Sequence, residues 1–459
     1  MNTLPENNKI SCSAMNILKY QLQDFLAEVK KETGIPGICL ALAVGGESMA
    51  ISVGTLSTDS LTPINEYTHF QLGCISKLLT AIIAAEFISA GELDPDDPIE
   101  KHLIELRGTD RGKDLAIWHL LSHTSGYRGL NITDPGVAYY FSWPKFLKYL
   151  NTAPQLFKPG SVFSYEHSEY VILGEIIKRI SGKNIIDLYH EMIFGPLKLT
   201  AGSIKENQRG KEVYTIDHRL NPDTMKFTKL KAIPFGGFWN ASLNSITMNM
   251  SDLLRIASSV CGITKIRKSL PEKAMKFVRK QVVKLPRTYG STRHEQVPVT
   301  FGAGCASYRG WLLGHNGSAR GQTCGLRFDP RSNTALAIGI NAWQPFIRDS
   351  IINRVFELIR GQPIPSFAED PFESSLDDLT GNYIGPQDFE ISVACANRQL
   401  ICKSNSKPPV TILMKKDENN LLRVCSDTQH NSLGFFNEPC SGIKGLMLGM
   451  SAFREKYPF

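Results

Sequence analysis

His69-Phe70-Gln71-Leu72-Gly73-Cys74-Ile75-Ser76-Lys77-Leu78-Leu79-Thr80 is an extended, apolar-flanked stretch that stops at a glycine and restarts as a helix on a reactive side chain. Lys77 follows Cys74 by three residues, so the two stack one turn apart on one helical face. A lysine at that distance can take a nucleophile's proton, and a helix N-terminus stabilises a developing anion. The helix continues through Ala81-Ile82-Ile83-Ala84-Ala85-Glu86 to about Ala90. It is apolar nearly all round, as a buried central helix must be.

Working outward, Met15 to Thr33 carries Leu18, Leu22, Phe25, Leu26 and Val29 at helical spacing and ends at Gly34-Ile35-Pro36-Gly37. Ile38 to Val44 and Ser48 to Val53, joined by Gly45-Gly46-Glu47, read as a β-hairpin. From the central helix to about Pro298 the pattern is one of helices and loops, including Ser168 to Ser181 and Asn184 to Ile193. Val299 to Ile340 returns to strands broken by glycines, and Ile347 to Arg360 is a last helix. The expected fold class is therefore α/β (α+β), an antiparallel sheet covered by helices plus a helical lobe, with the reactive groups in the cleft. The expected organisation is a domain over 1–362, with its sheet lobe at about 15–68 and 299–362 and its helical lobe at about 69–298. A linker over 363–371 and a small antiparallel β-barrel over 372–459 follow. Short alternating segments such as Phe389–Val393, Gln399–Cys402 and Val410–Leu413 carry that barrel.

At 459 residues, 42% hydrophobic and 21% charged, the chain can build a large core in two or three domains. Its net charge of +7 is spread without a basic stripe, which argues against nucleic-acid binding. No apolar run reaches the length of a membrane span, and Met1 to Met15 is too polar for a signal peptide, so a cytoplasmic location is expected. The ten cysteines form no C-x-x-C pair and no zinc spacing, so no metal and no cofactor is expected. Cys39, Cys261 and Cys305 lie among apolar residues and read as small buried hydrophobes.

Four further stretches stand in order with the first. They are Leu120-Leu121-Ser122-His123-Thr124-Ser125-Gly126, Tyr165-Glu166-His167 with the segment to Gly174, Phe235-Gly236-Gly237-Phe238 ahead of Asp252-Leu253, and Gly314-His315-Asn316-Gly317-Ser318. Together with Cys74-Ile75-Ser76-Lys77 they closely resemble the motifs of the serine β-lactamase and penicillin-binding-protein superfamily. The likeness is to the class C-like branch in which a His-x-Gly strand replaces Lys-Thr-Gly. It covers roughly residues 15 to 360. Leu379–Tyr383 and Gly442–Leu446 resemble the lipocalin-type barrel of some members, among them penicillin-binding-protein-type thioesterases that release and cyclise nonribosomal peptides.

The resemblance implies a β-lactamase/transpeptidase-like fold and a covalent acyl intermediate, with Cys74 in the place of the serine nucleophile. It makes Lys77 the base or neighbouring cation and Tyr165 a second proton shuttle. The backbone N–H groups of Cys74 and Ser318 would form the oxyanion hole, Asn316 and Gly317 would line the substrate, and His315 would orient the acyl group or bond Tyr165. Arg320 is placed to hold a substrate carboxylate. His167 replaces the family's asparagine, and a Cys74–His167 pair stays open beside Lys77 and Tyr165 as the basic system. His119 and His123 read as structural, and Glu166 as solvated.

A thioester yields to amines and carbon nucleophiles far more readily, relative to water, than an oxygen ester does. The expectation is thus an acyltransferase or peptide cyclase in natural-product biosynthesis. It would take an acyl or peptidyl thioester or ester, carrier-protein- or coenzyme-A-bound, and an amine or carbon nucleophile as acceptor. A hydrolase of the same fold (esterase, D-peptidase, amidase or β-lactamase-like) is the first alternative, and a catalytically inactive acyl-ligand-binding homologue is the second.

Overall fold

The computed structural model of the chain describes residues 11–129, 142–200, 202–203, 213–221, 223–231, 246–263, 269–285, 289–290, 298–319, 321–363, 375–385, 389–405, 411–416, 422–424, 432–437, 444–448 and 451–455. They group into two compact units. One comprises residues 1–93, 177–281 and 302–364, and the other 94–176, 282–301 and 365–459.

In the first unit, helix α1 (Cys12–Thr33) starts where the Ser11 side chain accepts the Ala14 N–H and ends at Gly34, whose φ of 68° suits a residue without a Cβ. Its buried residues Met15, Leu18, Leu22 and Leu26 recur at the helical period, as the sequence suggests. Strands β1 (Gly37–Val44) and β2 (Glu47–Gly54) form the expected hairpin. A three-residue strand β3 (His69–Gln71) leads into α2 (Ile75–Ala90). Further on come β4 (Ile246–Asn249), α3 (Met250–Cys261) and α4 (Glu272–Arg279). Strands β5 (Ala306–Tyr308), β6 (Leu312–Ala319), β7 (Gln322–Asp329) and β8 (Thr334–Ile340) follow, and α5 (Pro345–Arg360) closes the unit.

Within this unit the sheet order is β2-β1-β8-β7-β6-β5, and each of these neighbouring pairs is antiparallel. Every residue of β1, β7 and β8 is buried, because helices cover both faces of the sheet centre. A mixed α/β fold around a large antiparallel sheet is what the sequence leads one to expect. Helix α2 has the predicted apolar circumference, with Ile75 to Ala85 buried without a break. The stretch read as helices and loops also holds short strands. Met248 of β4 pairs with Phe70 of β3, the extended stretch read ahead of α2, and His218–Asn221 pairs with Lys226–Lys229. Strands of four residues leave too little alternation to be read from sequence.

The second unit contains the helices Trp143–Thr152 and His167 onward, and a sheet near the C-terminus. The sheet's strands are β9 (Gly381–Ile384), β10 (Glu390–Ala396), β11 (Gln399–Ser404), β12 (Thr411–Lys416), β13 (Leu422–Val424), β14 (Ser432–Asn437), β15 (Lys444–Leu448) and β16 (Ser451–Glu455). Their order is β13-β12-β11-β10-β9-β16-β15-β14, extended by Tyr289–Gly290 beside β14. Leu379, Tyr383, Ile391, Val393, Leu400, Cys402, Ile412, Met414 and Leu446 give it a core of its own. The Phe235–Phe238 turn and the residues after Pro363 read as a linker lie outside the described residues. Among the described residues no helix is long and apolar enough to cross a membrane.

Glu86 is the discordant residue of α2. Its Oε1 is buried without a hydrogen-bond partner, and burial raises its carboxyl to about 7. The folded state therefore holds this proton more tightly than the unfolded chain does, and stability falls as pH rises from the usual carboxylate range through about 7. Glu86→Gln is expected to stabilise the protein at pH 8 by about 1 kcal/mol, allowing for solvent screening, and to have no such effect at pH 4. Urea denaturation at the two pH values measures the difference.

Candidate active site

Cys74 sits at the head of α2 with φ −63° and ψ −12°. Three successive backbone bonds wind the turn: Ile75 N–H to Leu72 O (3.3 Å), Ser76 N–H to Gly73 O (3.0 Å) and Lys77 N–H to Cys74 O (3.0 Å). Leu72 is itself tied to β4 through Ile246 O (2.9 Å). Gly73 has φ +54°, and a Cβ there would stand 2.4 Å from Ser318 O and 2.8 Å from Ser318 N. A Cβ on Gly317 would stand 1.9 Å from Leu72 O. Two glycines thus let the Cys74 turn meet the edge of β6 backbone against backbone. β5 leaves room for it, because its pairing with β6 stops at Gly314.

Lys77 is fully buried one turn into α2. His315 of β6 is close enough to feel its charge. Burial first, then Lys77 and, by smaller amounts, Arg327 and Arg348 push the His315 imidazole down to about 3, although its hydrogen bond to Asn316 O works the other way. The ring is therefore neutral at ordinary pH. Its Nδ1–H donates to Asn316 O (2.6 Å), which leaves Nε2 the acceptor nitrogen. His315 can orient a donor in front of it but is a poor base.

Side chains alternate along β6, and this separates residues that the sequence groups together. Gly317 faces Ile75 of α2, whereas Asn316 lies opposite Gly325, whose α-carbon is packed under Arg348 and Ile352 of α5. Asn316, expected at the substrate, instead turns its Oδ1 to accept from Arg327 Nη2 (2.7 Å) behind the strand. Ser318 is exposed at the open end of β6. Arg320 lies outside the described residues.

In the second unit Tyr165 stands between two histidines. Its ring centre is 4.3 Å from that of His123 and 5.4 Å from that of His167. His123 is fully buried in a left-handed conformation (φ 56°), and its Nδ1 hydrogen-bonds the Glu169 carboxyl group. Glu169 Oε1 also accepts the Ser125 N–H (3.1 Å). The rings of Phe163, Tyr170 and Phe301 complete a box around His123, in keeping with its reading as structural. Glu166 departs from expectation. It is buried rather than solvated, because Oε1 folds back to accept the His167 N–H (2.9 Å) and cap its helix.

Cys74, Lys77, His315, Gly317 and Ser318 are thus assembled in one unit, and Tyr165 and His167 stand together in the other. Arg327 and the His123–Glu169 pair escape a reading by sequence alone. The signal available for Arg327 is an arginine inside the apolar run Gly325-Leu326-Arg327-Phe328. Cys39, Cys261, Cys305 and Cys324 are buried, with thiols pushed up to about 12 by desolvation, whereas Cys74 is partly exposed. Among the described residues no group of three His, Cys, Asp or Glu could hold a metal ion.

A sequence profile of the Beta-lactamase family matches residues 22–357. The chain belongs to that family. It is 26% identical over 174 residues to a Beta-lactamase of Yersinia enterocolitica, covering 38% of this chain and 44% of that protein. It is 28% identical over 179 residues to Penicillin-binding protein 4 of Amycolatopsis lactamdurans, covering 39% and 47%. The chain thus spans about half the length of the curated relatives it matches. Among solved structures, SurE superposes with a TM-score of 0.75 over 96% of this chain and 100% of its own, at 21% identity. SurE has also been solved with D-Leu. At that identity the likeness is one of fold, and it extends past the matched family region to the C-terminal residues.

Gly73→Ala tests the close approach directly. A left-handed backbone and a Cβ inside contact distance of Ser318 together are expected to cost about 2–4 kcal/mol in urea denaturation. A cost below about 0.5 kcal/mol would mean that the turn and β6 can separate freely.

Proposed function

We propose that this family member is an acyl-transferring enzyme that forms a covalent thioester on Cys74 and passes the acyl or peptidyl group to an amine or carbon nucleophile, in cytoplasmic natural-product biosynthesis. The observation that carries the reading is the backbone approach of the Cys74 turn to β6, with a buried lysine one turn further on. An acyl carbonyl laid along that edge meets a sulfur on one side and backbone donors on the other.

In the first half-reaction Cys74 Sγ attacks the carbonyl of a carrier- or coenzyme-A-type thioester, or of an ester. The bond to the leaving group breaks as the new C–S bond forms, and the proton lost by sulfur passes to the leaving thiol or alcohol. In the second, an amine nitrogen attacks the thioester, the C–N bond forms, the C–S bond breaks, and the amine's proton returns to Cys74. Lys77 carries these protons in the proposal, with Tyr165 and His167 as the second shuttle and His315 as a neutral acceptor that orients the group it faces. Free thiols throughout the described residues suit a reducing compartment. The solved SurE complex with D-Leu makes a D-aminoacyl group the first acyl class to try.

Hydrolysis is the second reading, favoured by the similarity to a Beta-lactamase. Intact-mass spectrometry with D-leucyl and acetyl thioesters of N-acetylcysteamine is expected to show one acyl adduct that peptide mapping places on Cys74. Lys77→Met is expected to slow its formation by a factor of 10²–10⁴. No adduct with any acyl donor, on a thiol that still reacts with iodoacetamide, would overturn both catalytic readings.

A further inference from the structure

Among the described residues Arg327 is the largest fully buried side chain, and no step described above uses it. It projects from β7 opposite Gly314 of β6, at the point where β5 ceases to pair. Its guanidinium lies 3.6 Å from the centre of the Tyr308 ring. Nη1 donates to Leu326 O (2.8 Å) and His315 O (3.4 Å), and Nη2 donates to Asn316 Oδ1 (2.7 Å). Its carboxylate neighbour, Asp349 at 3.8 Å, is held more closely by Arg348 Nε at 2.8 Å. Arg327 and Arg348, both buried, thus share the neighbourhood of Asp349 behind β6.

Burying a guanidinium is expensive, and an apolar side chain of similar volume often serves stability as well. What the arginine adds is geometry. Arg327 holds Asn316 by its side chain, and Asn316 holds the His315 ring by its carbonyl oxygen. The chain of bonds runs from the back of the sheet to the imidazole that faces Lys77. We propose that Arg327 is a positioning residue for the acyl-binding site, acting through Asn316 to fix the ring of His315. Its significance for catalysis rests on the acyl-enzyme reading above. The positioning itself does not.

Arg327→Met is the test, because it leaves Asp349 paired with Arg348. In ¹⁵N spectra of histidine-labelled protein, His315 of the wild type is expected as the single Nδ1–H tautomer, unprotonated at pH 5. In Arg327→Met the tautomer is expected to become mixed and the ring to titrate at higher pH. Acylation of Cys74 should slow at least tenfold at saturating thioester, while alkylation by iodoacetamide stays within twofold. Arg327→Lys keeps the charge without the fork, so it should hold His315 unprotonated and recover only part of the acylation rate. It carries the same readouts if the methionine variant does not fold. An unchanged tautomer and titration would overturn the proposal, as would acylation and alkylation falling together with the melting temperature. If the wild type forms no acyl adduct yet Arg327→Met still alters the His315 tautomer, the acyl-enzyme reading fails and the positioning role stands.

Discussion

The site depends on one backbone contact, the approach of Leu72-Gly73-Cys74 to the edge of β6. It demands that Gly73 and Gly317 carry no side chain, since a Cβ at either would penetrate the opposing peptide. It also demands that β5 stop pairing at Gly314, because a continuing strand would occupy the edge the turn uses. Both partners must be held still. β6 is held by seven residues of register with β7, and the turn by its bond to β4 and by a helix buried from Ile75 to Ala85. The long apolar run after Cys74 is the means by which Cys74 is positioned.

Around that contact lie several buried cations. Lys77 and Arg327 are fully buried and Arg348 nearly so, with Asp349 beside the two arginines. An environment of this kind favours negative charge that appears during a reaction, on an acyl oxygen above all. It disfavours a further cation, and so adds to the burial that keeps His315 neutral. The histidine, the glycines and the lysine thus form one electrostatic arrangement.

Much of this is legible in the amino-acid order. An all-round apolar helix, a glycine-broken strand and a β-hairpin announce themselves through period and composition, and α2, β6, β1 and β2 lie where those signals place them. Facing is harder to read. Alternation puts His315 and Asn316 on opposite sides of β6, but only the packing of α5 against Gly325 says which side is the back. Glu166 reads as a solvated loop residue because its partner is the first peptide of the helix it caps, a contact within the chain's own turn that polarity alone cannot reveal. Tyr289–Gly290 pairs with β14, more than a hundred residues later in the chain, and no local pattern signals that pairing.

With Cys74 as the proposed nucleophile, the fate of the acyl group is the central issue. The most direct measurement is the partition of a preformed Cys74 acyl-enzyme between water and an amine, followed by product ratio as amine concentration rises, in the wild type and in Cys74→Ser. Transfer is expected to dominate in the wild type at millimolar amine, and hydrolysis to dominate in the serine variant. Equal partition in both proteins, or a wild-type acyl-enzyme discharged by water regardless of amine, would contradict an acyl-transferring role for Cys74.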